Sequence, residues 1–251
     1  STATLSSIST AALSGLTTAQ MVALTTDQVP VITATQIAAI STANLAVMET
    51  ADFAKLTTDA IVALTTAQAA AITNTQMPAM TTDQLVKLET ADFAALSTAN
   101  IVALTTAQIG SLTTDQLKAL SPTQIVKLET ADLAALSSVQ IAGIELSDLA
   151  LLTTDQVKGL TVAGPLTGLS TAQVAALTAA QVAALTTTQV AGLTTAQVAA
   201  IEVQDLSGMG TAQISALTSA QLGSFTNNQV AALTTDQVQA LSTANFAGLT
   251  S

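Results

Sequence analysis

Leu193-Thr194-Thr195-Ala196-Gln197-Val198-Ala199-Ala200 is one period of a pattern that governs nearly the whole chain. Its general form is a large apolar residue, Ser or Thr, Thr, any residue, Gln, an aliphatic residue, any residue, then Ala or Gly. Every eighth residue from Ile8 to Leu160, and again from Leu169 to Leu249, is Leu, Ile, Met or Phe, at 31 positions without exception. A fixed internal period marks an architecture in which each unit covers its neighbour. One continuous amphipathic helix is excluded, because eight residues overshoot two helical turns by about 80° and the apolar stripe would wind round the helix. Strands are excluded too, since apolar positions 1, 6 and 8 do not alternate. The chain must turn once per octad.

The octad carries its own turn signal. Position 2 is Ser or Thr in 23 of 29 regular octads, and position 5 is Gln in 19. That spacing is the capping box, in which a Ser/Thr N-cap and a Gln three residues on satisfy each other's free backbone N–H groups. Positions 1 and 6 then form the apolar staple that brackets a helix start. Pro122 stands at the first helical position, where its missing N–H costs nothing. Asp27, Asp59, Asp83, Asp115, Asp155 and Asp236 occupy position 4, where a negative charge suits the helix dipole. Pro30 and Pro78 fall at position 7, so the helix in those octads should be scarcely longer than one turn. One octad buries about two aliphatic side chains and cannot offset the entropy of ordering eight residues, so octads must stack. The expected fold is an all-α repeat solenoid of very short capped helices, one per eight residues.

A slower rhythm overlies the octads. Glu49-Thr-Ala-Asp52, Glu89-Thr-Ala-Asp92 and Glu129-Thr-Ala-Asp132 recur every five octads, and residues 48–87 match 88–127 at 22 of 40 positions. The pattern breaks once, at the nonapeptide 160–168 with its Gly164-Pro165 pair. The expected organisation is therefore a solenoid with a 40-residue super-repeat over 1–159, an irregular Gly-Pro junction over 160–168, and a more uniform octad solenoid over 169–251.

Composition narrows the function. Only 8% of the 251 residues are charged, the net charge is −11, and Arg, His, Cys, Trp and Tyr are absent. An acidic chain repels a phosphate backbone, so no nucleic-acid partner is expected. Thr, Ser or Gln interrupts every octad, so no membrane insertion is expected. Without His or Cys the usual nucleophile–base systems cannot be built, and no enzyme is expected. Cys-free, acidic, Thr-rich composition points to an extracellular or cell-surface location. The chain opens at Ser1 with no Met and no signal-peptide pattern, as expected of a processed or partial chain.

The sharpest constellation is the acidic octads. Wherever position 2 is Glu (49, 89, 129, 145, 202), position 5 is Asp (52, 92, 132, 148, 205), and Asp stands at position 5 nowhere else. Converging carboxylates would bind a hard cation such as calcium, with Glu49, Asp52, Glu89, Asp92, Glu129 and Asp132 as the candidate ligands. Against this, a long Glu with a short Asp spans the same distance as a short Thr with a long Gln, which makes the pair an alternative cap. Lys55, Lys87 and Lys127 lie near enough in sequence to neutralise the acids. The chain also lacks a glycine-and-Asp calcium loop, so the cap reading is preferred and no cofactor is expected. Rows of Thr hydroxyls could face ice or a glycan, but the first Thr of each pair is already used as a cap.

The unit Leu-Thr-x-x-Gln-Val resembles the opening of TAL-effector repeats, yet it recurs once per octad, lacks a base-reading loop and is acidic, so DNA binding is not carried over. The arrays as a whole are similar to the Leu-Thr-Thr-x-Gln-(Val/Ile)-x-Ala octapeptide repeats of large repetitive surface or secreted proteins of Gram-negative bacteria. That resemblance covers nearly the whole chain, implies an exported structural role and transfers no functional residue. The expected function is an extracellular structural subunit that polymerises with itself into a filament, sheath or surface layer. Its contacts would join the Phe246/Leu249 end to the Leu5/Ile8/Leu13 end, because neither end shows a polar capping repeat. The alternatives are a stalk or spacer segment of a giant adhesin, or a calcium-, glycan- or ice-binding module.

Overall fold

The computed structural model describes residues 8–250. They fall into two compact units divided between Lys127 and Leu128, and each unit is built the same way. Among the described residues there are 28 α-helices of four to six residues, three 3-10 helices and no strand. Each unit is thus an all-α solenoid.

The helix Thr195–Ala199 shows why each octad folds as it does. Thr194 is extended, with φ −72° and ψ 159°, and its hydroxyl accepts the Gln197 N–H at 3.2 Å. Gln197 Oε1 in turn accepts the Thr194 N–H at 2.9 Å, which closes the box. One and a half turns later the Ile201 N–H donates to the Val198 carbonyl, and Ile201 begins the next octad. Leu193 and Val198 point inward, and Thr194, Thr195 and Ala196 face outward. Pro122 opens its helix as the spacing predicts. Pro30 and Pro78 replace the α-helix by a turn followed by the 3-10 helices Val29–Val31 and Met77–Ala79, where a proline N–H is not missed.

Helices stack on those three octads away. In the first unit Thr42–Val47 packs on Thr66–Ala71, and Thr58–Val62 on Thr82–Lys87; in the second, Ala179–Ala184 packs on Val203–Leu206. The closest approach falls at the end of the octad, where the sequence prefers Ala or Gly. A Cβ on Gly159 would lie 2.4 Å from Thr130 Cγ2, and one on Gly192 would lie 2.3 Å from Val162 Cγ1. Neither glycine is there for a left-handed backbone, because no described residue has a positive φ.

The stretch 160–168 lies within the second unit and carries the stack onward. Pro165–Gly168 forms a short helix behind Gly164, buries Leu166 completely and packs on Ser138–Ile141. A Cβ on Gly168 would meet the Ser138 carbonyl oxygen at 2.3 Å. Proline at the first helical position supplies the start that the missing cap does not.

Candidate functional site

The distinctive chemistry of this fold is the row of side-chain amides between successive coils. From Gln36 onward Gln at position 5 is buried, at 2% exposure in Gln68, Gln181 and Gln197. Its oxygen is taken by the capping box, which leaves Nε2 to donate elsewhere. Gln68 Nε2 donates to the carbonyls of Ile40 and Ile37, 28 and 31 residues earlier, both at 2.7 Å. Gln108 does the same to Met80 and Met77 at 2.8 and 2.9 Å. In the second unit Gln221 reaches Leu193 at 2.7 Å and Val190 at 2.9 Å. The 28-residue reach means that one coil closes after about three and a half octads, since 28 divided by 8 is 3.5. The extra residue of the nonapeptide is absorbed in this ladder: Gln173, Gln181 and Gln189 reach back 29 residues, and Gln197 returns to 28. Where Asn replaces Gln the amide is kept, with Asn44 Nδ2 on the Leu16 carbonyl and Asn100 Nδ2 on that of Ile72, both at 2.7 Å.

Each rung joins three backbone groups, because one amide accepts an N–H and donates to two carbonyls. A neutral hydrogen bond contributes about 0.5–1.5 kcal/mol net, but leaving such groups buried and unmet costs about 1–3 kcal/mol each. The rungs therefore fix the register of one coil on the next.

The acidic octads depart from this pattern. Asp52, Asp92, Asp132, Asp148 and Asp205 are all buried at position 5, whereas their Glu partners are exposed. The reading of Glu as a substitute cap is only half met at Glu129, where Asp132 accepts the backbone N–H at 3.0 Å but the Glu side chain makes no cap bond. It is corrected at Glu49, Glu89, Glu145 and Glu202, whose side chains make no cap bond and extend to solvent. Burial, and after it the neighbouring Glu carboxylate, push Asp52, Asp148 and Asp205 up from the ordinary carboxylate pKa. Lys55 and Lys87 form no ion pair with Asp52 or Asp92 among the described residues. Among the described residues the ion pair is Lys158 with Asp155 at 3.2 Å, exposed and of small energetic weight.

As for calcium, Glu49 with Asp52 and Glu89 with Asp92 are not stacked, because the five-octad super-repeat is not a multiple of the coil. Asp92 stands instead one coil beyond Leu64, in the relation that Gln68 bears to Ile40. No group of three or more acidic side chains among the described residues is arranged to hold a metal ion. A shallow groove of about 530 Å³ runs beside Ile201, Val203, Gln204 and Thr226, and Glu202 is its one ionisable lining residue.

The residues expected to mediate assembly divide. Phe246 is 46% exposed, and Ile8 and Leu249 are partly exposed, while Leu5 lies outside the described residues. Leu13 is fully buried, contrary to its placement at an open end, because position 6 faces the coil that follows and is covered by it. By the same geometry the coil nearest the C-terminus leaves Val230, Val238 and Phe246 open at 39%, 39% and 46%. The first described coil leaves amides open instead: Nε2 of Gln20 and of Gln28 has no partner among the described residues. The sequence reading takes Gln as a cap alone and misses its second role. The available signal is that position 5 never holds Glu, which caps as well as Gln but cannot donate.

The fold and its ladder define a class: an all-α solenoid of octads, stapled between coils by side-chain amides. The ALTTAQ repeat family model matches residues 45–82, 85–122, 125–162, 165–195 and 198–235, and the chain belongs to that family. Its first four matches begin at positions 45, 85, 125 and 165, which is the period of the super-repeat. A comparison with curated proteins finds no match. Among the described residues no helix is long and apolar enough to cross a membrane.

Proposed function

We propose that this chain is an extracellular structural repeat protein without catalytic activity, and that it assembles end to end with copies of itself into a filament, sheath or surface layer. The observation that carries the reading is the complementarity of two coil faces. One face presents Val230, Val238 and Phe246 together with position-1 carbonyls such as those of Leu233 and Leu241, to which no amide donates among the described residues. The other presents the donors Gln20 and Gln28 beside the half-exposed Leu16 and Leu24. Elsewhere in the molecule these same groups meet between coils. A second copy is the occupant proposed for both faces, since each offers what the other leaves open among the described residues, and repetition of such a heterologous contact builds an open fibre. The acidic surface and the absence of Arg disfavour a nucleic-acid partner.

Electron microscopy of the purified 251-residue chain tests this. Filaments are expected at high concentration, and Val238→Lys with Phe246→Lys should abolish them without changing helical content by circular dichroism. Filaments that survive the double substitution, or a wild-type chain that stays monomeric at high concentration, overturn the reading. In that event the stalk of a giant adhesin takes its place, since in a longer array further octads of the same chain would cover these faces.

A further inference from the structure

The acidic rungs pose a chemical contradiction. A rung must donate to the position-1 carbonyl of the coil before it, and an ionised carboxylate has no hydrogen to give. For Asp52 and Asp205 those carbonyls belong to Leu24 and Leu177, which stand to the two acids as Leu16 stands to Asn44. Among the described residues, no hydrogen bond reaches either carbonyl oxygen. Asp52 is 3% exposed, and its Oδ2 is buried without a partner. Asn, which has the same shape as Asp, fills the rung one octad earlier and places Nδ2 of Asn44 at 2.7 Å from the Leu16 carbonyl. That separation is the ordinary length of an O–H···O bond.

We propose that Asp52 and Asp205 are proton-binding rungs: each takes up a proton from solvent, and its O–H donates to the carbonyl of Leu24 or Leu177, closing between coils the bond that an amide closes elsewhere. The surroundings offer no other counter-charge. Asp52 lies in the helix Thr50–Phe53, which packs on Met77–Ala79, where no residue ionises, and the octad of the Leu24 carbonyl carries one ionisable residue, the exposed Asp27, whose negative charge is no counter-charge to a carboxylate. Asp205 lies between the helices Ala179–Ala184 and Asn227–Ala232, which also carry no ionisable side chain. The charges nearby are the Glu49 and Glu202 carboxylates, which favour the neutral acid, and Lys55, which forms no ion pair among the described residues. A calcium ion in place of the proton would need six to eight oxygens at about 2.3–2.6 Å, and the site offers no third acidic group.

The consequence is a stack that tightens in acid. Because the folded-state pKa of both groups is raised, the stability they contribute is fully present below the ordinary carboxylate range. It is lost as pH rises through the raised value. Asn at these rungs donates at every pH, so the full chain with Asp52→Asn and Asp205→Asn isolates the effect. Thermal melting near neutral pH should show a Tm higher than wild type by about 2–4 °C per site. At about pH 3.5, where both the acid and the amide donate, the difference should vanish. Asp115→Asn with Asp236→Asn removes the same net charge from exposed positions and should show no such convergence. A double variant no more stable than wild type near neutral pH, or one that keeps the same advantage at acid pH, overturns the proposal. So does a wild-type Tm near neutral pH that rises with millimolar calcium chloride, falls again with chelator, and loses that response in Asp52→Asn with Asp205→Asn, because the occupant is then a cation.

Discussion

The helices Thr195–Ala199 and Thr235–Gln239 have nearly the same sequence and the same caps but opposite fates. In both, the Gln side chain accepts the Thr N–H at 2.9 Å and the Thr hydroxyl accepts the Gln N–H at 3.2 Å. Yet Val198 is completely buried and Val238 is 39% exposed. Helix formation is therefore a local property of the octad, settled by the capping box. The core is not local: position 6 is covered only when another coil follows. Gln237 remains 2% exposed at the same helix, because position 5 faces the coil before it. Each coil thus has a donor face turned backward and an apolar face turned forward.

Three substitutions in pairs would break or sharpen this comparison, each followed by urea denaturation. The largest difference is expected between Phe93→Ala and Phe246→Ala, which are chemically identical changes at position 6. Phe93 is completely buried, so its loss should cost about 3–5 kcal/mol. Phe246, 46% exposed, should cost about 1 kcal/mol or less. Equal losses would show that the open face is closed by something else. Next comes Gln189→Leu against Gln20→Leu. Gln189 accepts from Thr186 at 2.8 Å and donates to Val157 and Leu160 at 2.9 and 2.8 Å, so its loss should cost about 2–3 kcal/mol. Gln20 serves only as a cap, and its loss should cost about 1 kcal/mol. The smallest effect is Thr194→Ala against Thr234→Ala. Both should cost about 1 kcal/mol, because the cap is local in both coils. A clear inequality there would mean that capping depends on stacking after all.

Much of the fold was legible in the sequence because its signals are local. The Thr–Gln spacing, the Leu–Val staple and Pro122 each report on one octad, and each specifies the same helix start. What the sequence left open depends on contacts one coil away. Nothing in Leu193–Ala200 says how many octads make a coil, and so nothing showed that acids five octads apart would miss one another. The second role of Gln was hidden because capping accounts for its oxygen and is silent about its nitrogen. Asn44 and Asn100 were the clue, since a shorter side chain in the same place keeps the amide. The Glu side chains were misjudged for a steric reason. Each is long enough to reach water from an exposed N-cap, and a solvated carboxylate gains little by folding back on the helix.

The central claim is that buried Gln amides hold one coil to the next, and side-chain hydrogen exchange measured by NMR on the 15N-labelled chain tests it most directly. The Nε2 protons of Gln68, Gln108, Gln181 and Gln221 should exchange far more slowly than those of Gln20 and Gln28, which donate to no partner among the described residues. Exchange of the Gln68, Gln108, Gln181 and Gln221 amides at the same rate as Gln20 and Gln28 would contradict the account.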